Sequence, residues 1–360
     1  MSDLTFASVL ADWQRRCGRR DLPWQRFDTA YERWVSEVML QQTQVETVIP
    51  YYERFLKSFP TVEALAAAPE ELLMRHWAGL GYYSRARNLQ RAARRVAGEL
   101  GGVFPTTAAG LAELPGVGPS TAAAVAAFTS HEAVEPMVDG NVKRVLARVH
   151  RVPGRIGERA FEAELDRVAR AALPGPGDIA AYTQGLMDLG SLICRRRAPA
   201  CAGCPVRSFC RAFAAGDPEA WPQPKRRIEK TERWLSAAFV LTEDGLWLGA
   251  PAGGIWRGLA VPPTVDAEAP WNEALTPALF GWTGNWRFEP LGEVKRELTH
   301  RRLRIRAALC RPAGDVAEDL RRLRAAGFSP RGREPAAWPG MPVPMRAFAL
   351  AAAARSGQAD

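Results

Sequence analysis

Four of the six cysteines are close enough in sequence to bind one metal centre. They fall within 17 residues, with the spacing C-x6-C-x2-C-x5-C: Cys194, Cys201, Cys204 and Cys210. Zinc is the usual ion for four clustered thiolates, but zinc ribbons usually pair two C-x2-C units across a longer gap, and this segment has one such unit. A [4Fe–4S] cluster takes one thiolate per iron, which suits the uneven spacing better. Disulfides are disfavoured because nothing in the sequence indicates export.

Two acidic residues have sequence surroundings that suggest acid–base chemistry. Glu37 lies in the segment Trp34–Gln42, where its neighbours are mostly apolar. Such surroundings raise the pKa of a carboxyl group, so that it keeps its proton near neutral pH. Asp139 is followed by Gly140 and Asn141, a pattern that alone is typical of a turn or a helix cap. A glutamate on an exposed helix face and an aspartate in a cap are the structural alternatives.

A glycine-containing turn connects two segments with helical patterning. It is the stretch Leu114–Gly118, with sequence LPGVG, and an alanine-rich helix is predicted to begin near Ser120. Two glycines in a tight turn expose backbone N–H groups at a helix N-terminus, which favours binding of a DNA phosphate. A dinucleotide fingerprint is excluded because Thr121 stands at the third glycine position and no strand precedes the turn. A plain helix–helix turn is the alternative.

Together these motifs resemble the endonuclease III superfamily of DNA glycosylases, and within it the adenine DNA glycosylases of the MutY type. The resemblance is strong from about Leu22 to Cys210 and weaker beyond Trp234. It implies a [4Fe–4S] cluster on the four cysteines and a helix–hairpin–helix element that contacts the DNA backbone through Gly116 and Gly118. Asp139 follows Gly118 at the superfamily's spacing, which implies that it is the catalytic carboxylate beside the scissile sugar.

The resemblance also implies a reaction. Adenine leaves poorly as an anion, so protonation at N7 by Glu37 makes it a neutral leaving group, while ionised Asp139 stabilises the oxocarbenium-like sugar. Endonuclease III relatives lack an acid at the position of Glu37, whereas adenine glycosylases carry one. Ser120 stands where bifunctional relatives carry the lysine that forms a Schiff base, so a monofunctional enzyme that leaves an abasic site is expected. Lys143 is the nearest candidate for incidental Schiff-base chemistry, and contact with a phosphate is the favoured role.

Further residues match family segments that open the helix around the target base, which must be flipped out. Gln42 corresponds to a wedge residue, and Tyr82 to a tyrosine that stacks near the opposite base. Trp24 and Gln25 match a wall of the adenine pocket, and a place in the hydrophobic core is the alternative for Trp24. The remaining residues expected to bind DNA are Thr43, Leu80, Gly81 and Asn141.

The C-terminal region resembles a Nudix fold, yet it lacks the G-x5-E-x7-R-E-U-x-E-E sequence that holds catalytic Mg²⁺, so nucleotide hydrolysis is not expected. In the family this domain inspects 8-oxoguanine with a Phe-Ser-His loop. The corresponding residues here are Leu298, Thr299 and His300, with leucine in place of the aromatic residue. The following alternation predicts a strand with three arginines on one face, where they contact DNA phosphates or are merely solvated. They are Arg302, Arg304 and Arg306.

The elements that must position these residues form two predicted domains, as expected for 360 residues. Apolar residues recur with helical spacing up to about Phe213, and from Trp234 the apolar runs become short and bounded by turns. We therefore predict a mostly α-helical domain over residues 1–215, a basic linker over 216–233 and an α+β, Nudix-like domain over 234–360.

Composition limits the function classes. Hydrophobic residues make up 47% and charged residues 24%, as in a folded globular protein, and no apolar run approaches the length of a membrane helix. The net charge is +9, of which +3 lies in residues 1–220 and +6 in 221–360, which favours a polyanionic partner. We expect a monomer that acts in the cytoplasm, on the nucleoid of a prokaryote, without predicting a protein partner.

The predicted substrate is double-stranded DNA that contains A:8-oxoguanine or A:G mispairs. One alternative is a related glycosylase that removes thymine or uracil opposite guanine. An alternative from another class is a non-catalytic iron–sulfur DNA sensor, which would need the cysteines and the turn but not both carboxylates.

Overall fold

The computed structural model describes residues 4–26, 29–130, 134–224, 229–251, 254–266, 280–298, 300–335 and 338–355. It divides into two compact units. The first comprises Met1–Ala67 with Arg87–Arg226, and the second comprises Ala68–Ala86 with Arg227–Asp360. Assignment of the segment Ala68–Ala86 to the second unit is a feature that the sequence did not predict.

Helices dominate the chain up to residue 214. In chain order they are α1 (Phe6–Cys17), α2 (Ala30–Leu40), α3 (Val45–Ser58), α4 (Val62–Ala67), α5 (Glu70–Trp77), α6 (Ser84–Glu99), α7 (Ala108–Ala112), α8 (Pro119–Thr129), α9 (Gly140–His150), α10 (Arg159–Ala171), α11 (Ile179–Asp188) and α12 (Arg211–Ala214). Two further helices, α13 (Ala317–Ala325) and α14 (Val343–Ala354), belong to the C-terminal part. Among the described residues, no helix is long and apolar enough to cross a membrane.

The alanine-rich helix α8 lies inside the helical unit. Its residues from Ala122 to Phe128 are all buried. Small side chains allow neighbouring helices to approach closely, and α2 and α7 pack on α8. Buried residues of α1, α8, α9, α10 and α11 form one continuous core, with Leu10, Phe161 and Leu186 among its members.

The predicted turn lies between α7 and α8 and has the expected bounds. Gly116 has a positive φ of 80°, and a Cβ atom there would lie 2.5 Å from the Cβ of Asn88, so both conformation and space require glycine. Gly118 is the N-cap of α8 and Pro119 is the first helical residue, where proline needs no backbone N–H.

The C-terminal part contains a mixed sheet, which confirms the predicted α+β architecture. Its strands are β1 (Thr231–Thr242), β2 (Gly245–Leu248), β3 (Thr264–Asp266), β4 (Trp286–Glu297), β5 (Arg301–Pro312) and β6 (Ser329–Arg331). The order is β4-β5-β1-β2-β6, with β3 also paired to β1, and only β1 and β5 run parallel among these pairs. One core joins the sheet to α14 through Phe239 and Phe348, and another includes Val240 and Leu323 of α13.

Strand β5 has the predicted alternation, but its arginines are paired within the sheet. Leu303, Ile305 and Ala307 are buried, while the three intervening arginines lie on the other face. Arg302 pairs with Glu297, Arg304 with Glu232 and Glu293, and Arg306 with Glu293. Arg304 and Arg306 also lie over the ring of Trp234, at 4.8 and 4.9 Å. These pairs neutralise much of the positive charge that the sequence suggested for this face.

Candidate active site

A cleft of about 990 Å³ opens within the helical unit. It brings together the end of α2, the turn before α8, the start of α9 and the end of α11. The predicted site residues that line it are Trp24, Glu37, Gln42, Thr43, Gly116, Gly118, Ser120, Asp139 and Asn141. Residues far apart in sequence thus meet at one surface, as an active site requires.

Glu37 lies in the last turns of α2 and is only partly accessible from the cleft. Burial raises the pKa of its carboxyl group from 4.5 to about 7, the positive charge of Arg33 opposes this rise, and the negative charge of Asp139 adds to it. The influence of Asp139 places the two carboxyl groups within electrostatic reach of one another. Near neutral pH, Glu37 can therefore hold a proton and donate it.

Asp139 is the N-cap of α9. Its Oδ1 accepts hydrogen bonds from the backbone N–H groups of Asn141 and Val142, both at 2.8 Å. The cap that the sequence offered as a structural alternative therefore exists, and it fixes the carboxylate at the cleft wall. Structural and catalytic interpretations of Asp139 are compatible because one oxygen can cap the helix while the group lines the cleft.

Helix α9 connects Asp139 to the cysteine segment through arginines. Arg144 Nη2 donates to Asn141 Oδ1 at 2.9 Å, and its Nε donates to the carbonyl of Cys194 at 2.7 Å. Arg148, only 2% exposed, donates from Nη1 to Cys194 Sγ at 3.3 Å and to the carbonyl of Arg195 at 2.7 Å. Asparagine at position 141 therefore faces both the cleft and this network.

The four predicted cysteine ligands line one small pocket of about 20 Å³. All four are free thiols, and burial raises the pKa of Cys204 to about 11. The walls between them are apolar, with Val145, Leu189 and Val206 among the lining residues. Within the described ranges, no three His, Cys, Asp or Glu side chains are grouped as a single metal ion would require.

The loop after α2 holds Gln42 in a strained conformation. Gln42 is exposed and has a φ of 57°, in the left-handed region that residues other than glycine rarely adopt. The Nε2 of Gln41 donates to Thr121 Oγ1 at 3.1 Å, and the backbone N–H of Thr43 donates to the carbonyl of Leu40 at 3.2 Å. These bonds fix the loop against α8.

Tyr82 shows the same combination of strain and exposure within the segment that follows α5. Its φ is 46° and it is 49% exposed. The carbonyl of Gly81 accepts from Trp77 Nε1 at 3.2 Å, and Arg85 Nη2 donates to the carbonyls of Leu80 and Gly81. Leu80 is itself buried. Leu80 and Gly81 thus serve to present the ring of Tyr82.

The side chains of Gln25 and Lys143 are bonded to other groups of the protein. The amide of Gln25 donates to the carbonyl of Arg19 at 3.0 Å and accepts from the N–H of Leu22 at 3.2 Å, so it holds its own loop together. Lys143 Nζ forms a 2.5 Å ion pair with Glu162. Trp24 is buried at the cleft wall, edge to face with Tyr52.

The predicted lesion-reading loop joins β4 and β5 in the second unit. Leu298 is partly buried against the sheet core, and its N–H donates to the carbonyl of Arg301 at 2.8 Å. His300 is exposed, and Thr299 lies outside the described residues.

One wall of the cleft consists of residues that were not predicted from the sequence to belong to the site. Arg19 lies there together with Gln184, Met187, Ser191 and Leu192, from α11 and the π-helical turn Leu189–Ile193 that follows it. A signal was present, because Thr183 and Gln184 are polar residues within a largely apolar helix, and both are buried. A π-helical turn is itself frequent at functional sites.

Known proteins provide a comparison for this geometry. Residues 35–171 match the family model described as HhH-GPD superfamily base excision DNA repair protein. The adenine DNA glycosylase of Buchnera aphidicola subsp. Baizongia pistaciae is 33% identical over 309 residues, which cover 85% of this chain and 86% of that protein. The human adenine DNA glycosylase is 36% identical over an alignment of 360 residues, covering 83% of this chain and 65% of that protein.

A solved structure shows a comparable fold for the helical part. The structure of a thermostable thymine-DNA glycosylase matches with a TM-score of 0.51 and 27% identity. The match covers 58% of this chain and 95% of that one.

The raised pKa of Glu37 has a consequence for stability. A carboxyl group whose pKa rises from 4.5 in the unfolded chain to about 7 in the folded one stabilises the fold below pH 4.5, and this contribution is lost as the pH rises through 7. Glu37→Gln should therefore increase the free energy of unfolding at pH 8 by about 1 to 3 kcal/mol and change it little at pH 4. Urea denaturation at both pH values measures the effect.

The control for that experiment is Glu53→Gln, on the exposed side of α3. It should leave the difference between pH 4 and pH 8 as in the unsubstituted protein. An equal effect of both substitutions, or none from Glu37→Gln at pH 8, would contradict the burial account.

Proposed function

We propose that this chain, which belongs to the adenine DNA glycosylase family within the HhH-GPD superfamily of base excision DNA repair proteins, removes adenine from mispairs in duplex DNA by hydrolysing its N-glycosidic bond. The observation that carries the proposal is the pair of carboxyl groups at one cleft. Glu37 has a pKa near 7, and Asp139 is fixed at the start of α9.

The two acids have different tasks. Protonated Glu37 donates to N7 of adenine, so that the base departs as a neutral molecule. Ionised Asp139 stabilises the positive charge that develops on the sugar, and its helix-cap hydrogen bonds keep it in place without reorganisation during the reaction. Water then adds to the sugar carbon. The proximity of Asp139 is also what helps to keep the proton on Glu37.

DNA is held by the turn before α8 and distorted by two exposed residues. An added Cβ at Gly118 would meet nothing within 4 Å, so the backbone at the N-terminus of α8 is open to a phosphate. Gln42 and Tyr82 enter the base stack around the mispair, and Thr43 borders the cleft beside Gln42. The left-handed backbone conformations of Gln42 and Tyr82 support this proposal, because backbone strain of that kind is concentrated at functional sites.

The product is an abasic site with an intact strand. Ser120, in the first turn of α8, offers a hydroxyl group at the cleft, and Schiff-base chemistry needs an amine. The nearest lysine in sequence to Asp139, Lys143, is engaged by Glu162. Removal of thymine or uracil is the competing function, and the structure of a thymine-DNA glycosylase is among the matches. Glu37 favours adenine, because only a purine offers N7 for protonation.

The four cysteines hold a [4Fe–4S] cluster in this proposal. Support comes from their shared apolar pocket and from their uneven sequence spacing, C-x6-C-x2-C-x5-C. A bound cluster would supply iron–thiolate bonds that tie the segment from Cys194 to Cys210 together. Arg148 keeps the same segment against α9 by donating to the carbonyls of Arg195 and Arg196.

The C-terminal part reads the base opposite adenine. We infer a Nudix-like domain that recognises 8-oxoguanine through Leu298, Thr299 and His300. Exposure of His300 at the end of the β4–β5 connection supports this role. The partly buried Leu298 is suited to hold the loop on the sheet rather than to insert into DNA.

Excision assays under single-turnover conditions test the activity. The full chain should remove adenine from A:8-oxoguanine and A:G duplexes, with strand breaks only after alkali. Glu37→Gln should lower the rate constant by about 10²- to 10⁴-fold, because it removes the general acid. The exposed variant Glu53→Gln should keep it. Excision from T:G or U:G but not from A:8-oxoguanine would contradict the proposal, and so would binding without any excision.

Metal analysis tests the cluster. The purified protein should contain iron and inorganic sulfide in equal amounts and absorb broadly in the visible range. Cys204→Ser should reduce both contents, whereas Cys17→Ser, a substitution at an exposed cysteine away from the set, should not. One zinc ion per chain with neither iron nor sulfide would overturn the assignment.

A further inference from the structure

One glycine of the C-terminal region packs directly on the backbone of α5. Gly340 is buried, and its φ lies outside the left-handed region. A Cβ atom at this position would lie 2.7 Å from the carbonyl oxygen of Met74 and 3.0 Å from the backbone nitrogen of Arg75. All three residues belong to the second unit. Glycine is therefore required here by the lack of space and not by the backbone conformation.

The segment that carries Gly340 is anchored in the C-terminal core. Trp338 and Met341 are buried in the core that joins the sheet to α14. The carbonyl of Gly340 accepts from the backbone N–H of Ala260 at 2.9 Å, and Trp338 Nε1 donates to the carbonyl of Gly332 at 2.8 Å. Because the segment is held on both sides of the glycine, its contact with Met74 fixes the position of α5.

Helix α5 in turn supports the turn that presents Tyr82. Trp77, the last residue of α5, is completely buried, and its Nε1 donates to the carbonyl of Gly81 at 3.2 Å. Arg85 Nη2 donates to the same carbonyl at 3.2 Å. The guanidinium carbon of Arg85 lies 5.3 Å from the ring centroid of Trp77 and 5.7 Å from that of Tyr82. The position of Tyr82 thus depends on where α5 ends.

We infer that Gly340 is a positioning residue for Tyr82, because the C-terminal part packs on α5 at this glycine and thereby fixes the turn that carries the tyrosine. The inference rests on the proposed function, in which Tyr82 enters the base stack near the base opposite adenine. Gly340 is buried and has no side chain, so its influence on a bound duplex must pass through α5. A larger residue would displace α5, since the atoms that it meets are backbone atoms that cannot rotate away.

Duplexes with and without a base opposite adenine separate this role from a structural one. Apparent second-order rate constants for excision are measured with the full chain on duplexes that contain adenine opposite 8-oxoguanine or opposite a tetrahydrofuran abasic-site analogue. Without a base at that position, the ring of Tyr82 loses its stacking partner there. The ratio of the two constants therefore reports the contribution of the opposite base. A general loss of stability would lower both constants and leave the ratio unchanged.

Tyr82→Ala should lower the ratio about tenfold, as expected for the loss of one base–aromatic stack. Gly340→Ala should lower it about threefold, because the ring is displaced but still present. In the Tyr82→Ala background, Gly340→Ala should have no further effect, since both substitutions act on the same contact.

Two more variants complete the experiment. Trp77→Phe keeps an aromatic ring but removes the donor to Gly81, so it should also lower the ratio, and it serves if Gly340→Ala fails to fold. The matched control is Gly284→Ala, because a Cβ atom at Gly284 would lie 2.8 Å from the carbonyl oxygen of Asp315, before α13. It creates an equally close backbone contact without touching α5 and should keep the original ratio.

An unchanged ratio in folded Gly340→Ala would overturn the inference, and so would an unchanged ratio in Trp77→Phe. A full effect of Gly340→Ala in the Tyr82→Ala background would overturn it too, because the effect would then not pass through the tyrosine. The same holds for an equal loss in Gly284→Ala. If the unsubstituted chain excised no adenine from either duplex, the proposed function would fail instead.

Discussion

The site depends on a carboxyl group that is largely shielded from water. Glu37 is placed by α2 where burial favours its protonated form, and Arg33, one turn earlier, only partly offsets this effect. A second carboxylate, Asp139, is held nearby by the first turn of α9. Two nearby carboxyl groups resist joint ionisation, so Asp139 adds to the effect of burial in raising the pKa of Glu37. The helical packing around α8 maintains both positions.

Helix α9 gives the site its rigidity. It begins at the carboxylate that faces the cleft, and its arginines bind the carbonyl groups of the cysteine segment. Removal of either arginine would take the side-chain donor away from two carbonyl groups of the segment 190–196. The cysteine segment, the π-helical turn and the start of α9 are therefore one assembly. The π-helical turn packs closely on the start of α9, because a Cβ atom at Gly190 would lie 2.7 Å from the Cβ of Asn141.

Local patterns predicted the parts of the structure that local rules control. The helix cap at Asp139 and the turn at Gly116 follow from a few adjacent residues, and the alternation in β5 follows from its period of two. Pairings between distant residues could not be predicted in this way. The sequence does not reveal that Glu162 engages Lys143, that Glu293 pairs with two arginines of β5, or that Asp188 holds Arg19. Each of these ion pairs depends on tertiary proximity. Each also determines whether a charged side chain is available to bind a ligand.

By the proposed mechanism, adenine excision requires the proton on Glu37. The pH dependence of the single-turnover rate constant for an A:8-oxoguanine duplex tests this requirement. A pKa of about 7 predicts a rate constant that falls about tenfold per pH unit once the pH exceeds 7. A rate constant that instead rises through pH 7, as it would if Glu37 acted only in its ionised form, would contradict the account.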